Sequence, residues 1–467
     1  MRFFEIAITG LLVAAAVWRL AAGAASRPVL AVFLGLNLAA LVMHAAFEGV
    51  HWQMAPAYLG VLLLAGLFFF ERPLGQIPAA GAWAMIALAL SSSFLSAILP
   101  MFRLPQPTGP FPLGTRLVYL VDQSREEDAA PGKGRKRELM VQIWYPAGPS
   151  RNGYAPYRRR QETTLLSSYQ SVLATHARQN APVAQDGAPF PVLLFNPSWN
   201  GRRTQNTYLV EDLASHGFIV VAIDHTYNSG PIAFPDGRVV QFVPVPEMQN
   251  FSNTTIERVN AIAQKEVEKQ ARDDIFVLDQ LEAMGQDPKS PFYGHLDTSR
   301  AGALGHSIGG AVAAEACSYD PRIRAALDLD GSLFATVQKQ GLDKPFMFIE
   351  EDFQGYTPEE MARLSPADRI NAEMNESDTA AFEKYGGYRI YLQGSTHVSF
   401  TDKVLFSPLK ALSGRGTIRP RREVFIVRAY ALAFFDQVLK EEKSQLLSGE
   451  KSSFPEARLV AEGSFTR

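Results

Sequence analysis

The chain has 467 residues, more than one typical domain, with 47% hydrophobic residues, 20% charged residues and a formal net charge of -2. That charge balance excludes nucleic acid as a partner, because phosphate recognition leaves a basic footprint and none is present. Cys317 is the single cysteine, which excludes an intramolecular disulfide and a thiolate metal cluster; its apolar surroundings (Ala311, Ala313, Ala314, Ala316) assign it to packing.

The averages conceal two unlike halves. Before residue 103 the only Asp, Glu, Lys or Arg residues are Arg2, Glu5, Arg19, Arg27, Glu48, Glu71 and Arg72. Four apolar runs, at about residues 3–25, 28–47, 54–70 and 77–99, each approach the ~20 residues that cross a ~30 Å hydrocarbon core. The breaks Arg27-Pro28, Glu48 to His51 and Glu71-Arg72-Pro73 are polar or turn-forming, as segments reaching water must be. Buried helices of a soluble bundle would carry a polar face, whereas these runs are charged only near their ends. They predict a transmembrane domain of about four spans over residues 1–102, with the lipid bilayer as a partner.

Arg19 interrupts the first run and leaves a second reading, a signal peptide cleaved in the small-residue stretch Ala21 to Ser26. An even number of spans puts both ends of the segment on one side. Arg19, Arg27 and Arg72 belong to the first and third connections, and the second carries no Lys or Arg, so the positive-inside bias places the rest of the chain outside the cytoplasm. Arg2 and Arg103 pull the other way.

A linker over residues 103–115, Pro-rich from Leu104 to Pro112, precedes a catalytic domain at 116–467. Strand-like runs appear at Arg116 to Val121 and Leu139 to Tyr145. Pro191 to Phe195 (strand), Thr204 to His216 (helix, ended by Gly217) and Phe218 to Ile223 (strand) then form a βαβ unit. The alternation recurs in Arg300 to Leu304, Ile308 to Tyr319 and Ile323 to Leu329, followed by strands at Pro345 to Ile349 and Tyr388 to Leu392. Fully apolar strands alternating with helices predict an α/β fold, a mainly parallel sheet with helices on both faces. An insertion at about 226–286, with a long charged helix from Thr255 to Met284, reads as a cap over the site or a decorated crossover. Asn250 and Asn253 open glycosylation sequons, which read as chance matches.

Gly305-His306-Ser307-Ile308-Gly309 lies between an apolar strand and a small-residue helix, the context of a nucleophile elbow in the α/β-hydrolase fold. The sharp turn strains the serine backbone, and glycines leave room for it. A serine hydroxyl needs a base, normally a histidine held by a carboxylate, and in this fold the chain order is Ser, acid, His. His397, in Gly394-Ser395-Thr396-His397, is the only histidine after Ser307. Asp330 ends the strand after the nucleophile, and Glu351 and Asp352, ending the next, are the alternative acids. Asp328 reads as structural within its strand; His216, His225 and His306 read as structural or pocket-lining. The Ile308 amide, at the helix N-terminus, is placed to donate to an oxyanion. No histidine and carboxylate set has metal-ligand spacing, so no metal is expected.

From about Pro112 to Lys440 the chain resembles the plasma-type platelet-activating factor acetylhydrolases. The resemblance is carried by Asp212-Leu-Ala-Ser-His-Gly-Phe-Ile-Val220, Gly305-His-Ser-Ile-Gly-Gly310, Ala326-Leu-Asp-Leu-Asp330, Gly394-Ser-Thr-His397 and Phe400. It implies a cofactor-free serine esterase that removes short or oxidised acyl chains from phospholipids, and it ranks Asp330 above Asp352 and Glu351. The family's His-Gly-Leu-Gly-like oxyanion loop is here Asn196-Pro197-Ser198-Trp199-Asn200-Gly201, so the second oxyanion amide matches Trp199, whose indole would reshape the acyl pocket. The expected partner is therefore an ester or phospholipid substrate. Competing readings are a general carboxylesterase acting on small esters, polyesters or lactones, and a catalytically dead hydrolase that binds or senses. No motif speaks to oligomeric state.

Overall fold

The computed structural model describes residues 2–22, 27–70, 78–129, 131–352, 355–448 and 454–462. Its contacts divide the chain into two compact units. One comprises residues 1–103, 156–174 and 405–413; the other comprises 104–155, 175–404 and 414–467.

The first unit is built on four helices. Phe3–Ala22, Arg27–Met43 (prolonged by a π turn, His44–Glu48), Ala55–Phe70 (entered through a 3-10 turn, Trp52–Met54) and Pro78–Ile98 follow the four apolar runs. All four are long and apolar enough to cross a membrane. Small and branched residues at helical spacing make the seam: Ile8, Leu12 and Ala15 meet Leu30 and Leu34, Ala57, Val61 and Leu64, and Ala82, Met85 and Ala89. At Gly60 an added Cβ would lie 2.9 Å from Leu12 Cδ1, so glycine sets the closest approach in this seam. Polar residues gather at the other end of the hydropathy scale: His51 Nε2 donates to Glu5 Oε1 (3.1 Å), His44 Nδ1 donates to Glu48 Oε2 (2.9 Å), and Tyr58 donates to His44 Nε2 (2.7 Å).

Two stretches that the sequence assigns to the catalytic part group with these helices. Trp52 Nε1 donates to the Leu166 carbonyl at 2.9 Å, Ser407 Oγ donates to the Ile98 carbonyl, and the Phe102 ring packs on Tyr157 and Phe406. The connections around Glu71-Arg72-Pro73, and residues 23–26 of the predicted cleavage stretch, lie outside the described residues.

In the second unit the strands are β1 (Leu113–Glu126), β2 (Lys136–Pro146), β3 (Tyr154–Pro156), β4 (Ala174–Gln179), β5 (Phe190–Asn196), β6 (Ile219–Asp224), β7 (Ile232–Ala233), β8 (Val239–Val240), β9 (Leu296–His306), β10 (Ile323–Leu329), β11 (Phe346–Glu351), β12 (Gly387–Leu392) and β13 (Ala457–Glu462). Eleven of them form one sheet in the order β13-β12-β11-β10-β9-β5-β6-β2-β1-β4-β3, and β7 and β8 pair separately. From β6 through β12 neighbouring strands run parallel, while β13, β2 and β1 join antiparallel.

Alternation along β9 shows how both faces are covered. Ala301 and Ala303 enter a core with Leu278 of the helix Ile256–Gln286 and with Ala313 and Cys317 of the helix Ile308–Tyr319. Gly302, between them, faces Phe435 and Leu439 of the helix Pro420–Leu439, where even a Cβ would sit 2.8 Å from the Phe435 ring. The long charged helix of the insertion therefore packs on the sheet as a crossover through Ala271, Val277 and Leu278, while Val267 meets Ile308 and Ala311 of the helix after Ser307. Its preceding loop contributes Met248 and Phe251 to the wall of a cavity.

Candidate active site

The parallel strands end together, and the turns after β9, β10 and β12 bring the polar residues of the site to one cavity of about 940 Å³. Ser307 occupies the turn between β9 and the helix Ile308–Tyr319 with φ 58° and ψ -130°, a backbone region costly for a residue with a Cβ. Its amide donates to the Leu329 carbonyl (2.9 Å), which ties the turn to β10. The flanking glycines are required by close approach: a Cβ at Gly305 would lie 2.1 Å from the Gly309 carbonyl carbon, and one at Gly309 would lie 2.2 Å from the Asn196 oxygen.

Asp330 follows β10, also at positive φ (56°). Its Oδ1 accepts the Glu351 amide (2.8 Å), and its Oδ2 accepts from His397 Nδ1 (2.7 Å). The His397 side chain is 49% exposed and lines the same cavity as Ser307. Desolvation works against its charged form, but the hydrogen bond and charge of Asp330, with Glu351 nearby, outweigh it and raise the imidazole above its usual pKa. Of the alternative acids, Glu351 lines the cavity and its carboxyl is raised by burial and by the Asp330 charge. Asp352 faces Arg458 at 3.5 Å instead. Asp328 is buried and held well above the usual carboxyl range by burial and by Asp378; its Oδ1 caps the turn by accepting the Gly331 amide.

The loop after β5 brings Trp199 and the helix start brings Ile308 to the cavity wall, with Met248, Phe251, Phe334 and Met374 completing an apolar side. The lining also has polar members: the helix Pro366–Tyr385 contributes Asp368, Asn371, Asn375 and Glu376, and Arg389 and Tyr391 come from β12. The Trp199 ring stands edge-on to Phe242.

The three earlier histidines take separate roles. His216 bonds Thr108 (2.9 Å), away from the cavity. His225 is buried between Asp273 (2.9 Å) and the Asn196 side-chain oxygen (2.9 Å), with Asp273 also bound by Arg137. His306 contacts the His397 loop directly, its Nε2 donating to the His397 carbonyl at 2.8 Å. Residues that no motif reveals hold that loop in place: Asn206 Nδ2 donates to the Phe400 carbonyl (2.6 Å), and the Asp402 carboxylate accepts the amides of Thr207 and Tyr208 at the start of the helix Thr207–Ser215. Among the described residues no group of three or more His, Cys, Asp and Glu is arranged to hold a metal ion.

The chain has counterparts among known proteins. The profile of the family described as "Platelet-activating factor acetylhydrolase, isoform II" matches residues 101–453. A probable 1-alkyl-2-acetylglycerophosphocholine esterase of Arthroderma benhamiae is 24% identical over 410 residues, covering 80% of this chain and 96% of that protein. The platelet-activating factor acetylhydrolase of Cavia porcellus is 27% identical over 305 residues, 60% of this chain and 64% of its own length. Among solved structures, a ferulic acid esterase from Streptomyces cinnamoneus matches with a TM-score of 0.61 and 31% identity, covering 77% of this chain and 99% of the esterase. With its mostly parallel sheet, its strand-end cavity and a family match over three quarters of its length, the chain belongs to the platelet-activating factor acetylhydrolase isoform II family and is a carboxylic ester hydrolase.

Proposed function

We propose that the protein is a membrane-anchored serine esterase that removes short or oxidised acyl chains from phospholipids. The observation that carries this reading is the 2.7 Å bond from His397 Nδ1 to Asp330, formed in the cavity that Ser307 lines. With Nδ1 donating to the carboxylate, the neutral ring keeps a lone pair on Nε2 for the Ser307 proton. His397 takes that proton as Ser307 Oγ bonds to the ester carbonyl carbon. The amides of Ile308 and Trp199 stabilise the oxyanion, and the alcohol leaves with the proton returned by His397. Water, deprotonated by His397, then attacks the acyl-enzyme, and Ser307 recovers its proton as the carboxylic acid departs. Asp330 orients the ring throughout.

The four apolar helices anchor the enzyme in a bilayer with the catalytic unit outside the cytoplasm, giving it access to lipid substrates. A second reading, a carboxylesterase for small or polymer-borne esters, is favoured by the likeness to a ferulic acid esterase and by the Trp199 indole in the acyl wall.

Labelling with a fluorophosphonate tests the nucleophile: the wild type is tagged, and Ser307→Ala and His397→Ala are not. An untagged wild type would point to a dead hydrolase that binds or senses. Turnover of 2-acetyl and long-chain phospholipids against soluble aryl esters separates the two enzyme readings. Protease added to intact cells cuts the catalytic unit if it faces outward; protection until lysis would overturn the orientation.

A further inference from the structure

We infer that Gln205 and His306 form a brace that fixes the oxyanion loop and the His397 loop relative to Ser307, both acting as positioning residues. The inference rests on the catalytic reading above and goes beyond the nucleophile, base and acid.

Its basis is a hydrogen-bond chain with one self-consistent set of directions. The His397 carbonyl can only accept, so His306 Nε2, 2.8 Å away, carries the hydrogen. In the neutral ring Nδ1 must then accept, and Gln205 Nε2 is 2.7 Å from it. That orients the Gln205 amide, whose Oε1 accepts from the Ser198 amide (3.2 Å) and from Ser198 Oγ (2.9 Å). Flipping the amide would set an NH2 against the Ser198 N–H, donor against donor, so no second arrangement satisfies the chain. Four residues thus connect the loop that bears Trp199, the elbow that bears Ser307 and the loop that bears His397.

The surroundings suit a fixed part rather than a second base. His306 is 3% exposed, and burial together with the neighbouring His397 pushes its pKa down to about 3, so it stays neutral while His397 takes up a proton. The two rings are also in direct contact, 4.7 Å apart and 35° from parallel. Room for the Gln205 amide comes from Gly201, where a Cβ would sit 2.1 Å from Oε1. The Gln205 carbonyl also accepts the Asp402 amide (2.9 Å), a second tie between the same two loops.

The experiment uses the full chain in lipid or detergent and compares His306→Leu, His306→Gln, Gln205→Leu and the double variant His306→Leu/Gln205→Leu. A glutamine at 306 can return the donor to the His397 carbonyl. A brace predicts that His306→Leu loses on the order of 30- to 100-fold in kcat with KM within about threefold, and that His306→Gln regains about tenfold of the loss. It also predicts that the double variant is no more than about threefold worse than the poorer single, because one broken link already releases the chain. A fall in melting temperature with kcat unchanged, or losses that multiply in the double variant, would overturn it. Histidine-selective 15N NMR supplies a readout that needs no turnover: His306 is expected as the neutral Nε2–H tautomer, and an Nδ1–H form or an imidazolium near pH 7 would equally sink the brace. Retained hydrolysis in Ser307→Ala, by contrast, would overturn the catalytic reading alone and leave the tautomer result standing.

Discussion

The two units handle apolar side chains in opposite ways. In the catalytic unit all seven residues of β5 and all six of β6 are buried, the ordinary outcome when water surrounds the fold. In the helical unit only 28% to 39% of each span is buried inside the protein, and Phe3, Val42, Leu62 and Trp83 are more than 60% exposed. The same unit turns Glu5, His44, His51 and Gln53 inward, where they bond to one another and to Tyr58 and Glu48. An outward apolar surface with inward, hydrogen-bonded polar groups is the pattern expected of a unit in a bilayer, where no solvent partner exists for an exposed polar group, and it supports the proposed anchoring. The contrast is what the proposed anchoring expects of one chain folded for two solvents.

Several substitutions break or sharpen that contrast. The largest effect falls on the catalytic unit alone: Ser307→Ala is expected to lower kcat by about a millionfold, as removal of a serine nucleophile does elsewhere, with membrane extraction behaviour and circular dichroism unchanged. Asp330→Asn follows, at about ten-thousand-fold in kcat. It also moves the pH profile. His397 must be neutral to act, and Asp330 holds its pKa above the usual value, so wild-type kcat/KM rises with pH through an inflection above about 6.5. Removing the carboxylate shifts that inflection to lower pH, and an unmoved inflection would contradict the assignment.

Stability separates the units next. Phe195→Ala, in a fully buried strand, is expected to cost about 3 to 5 kcal/mol in denaturant unfolding of the catalytic unit. Leu62→Lys replaces a side chain that is 67% exposed; in water this would be near neutral, but in a bilayer it should cost about 3 kcal/mol of insertion free energy, read as a larger fraction released by alkaline extraction. The smallest effect is at Trp199, where alanine opens the acyl wall: the kcat/KM ratio for long over acetyl esters should rise about tenfold, from one or two added methylenes' worth of contact.

How much of this was readable beforehand depended on the reach of the interactions. The four helices and strands β5, β6, β9, β10, β11 and β12 were legible because unbroken apolar runs announce their burial locally. The short β3, the polar β4 (Ala174–Gln179) and the edge strand β13 were not, since their pairing is decided by partners far away in sequence. The grouping of 156–174 and 405–413 with the N-terminal helices left no local trace either, because it rests on contacts such as Trp52 with Leu166. At the site, Ser307 was marked by its glycines and His397 by being the last histidine, and the bond between Asp330 and His397 joins the acid ranked first to that base. Gln205, Asn206 and Asp402 escaped notice: single polar residues have no periodicity, and their meaning appears only once two loops meet. The polar helix Pro366–Tyr385 was passed over for a related reason, as it offers the cavity acids and amides rather than an apolar stripe.

The anchoring of the His397 loop has an architectural consequence. Its fastenings come from Gln205 to Tyr208 and from His306, from the end of β12, where Ser395 donates to the Leu392 carbonyl, and from Gly414, whose carbonyl accepts from Thr396. None of these fastenings belongs to the helix Pro366–Tyr385, which lies between β11 and β12 and lines the cavity. Sequence drift along that helix is therefore expected to change which alcohol the cavity admits before it disturbs the placement of His397.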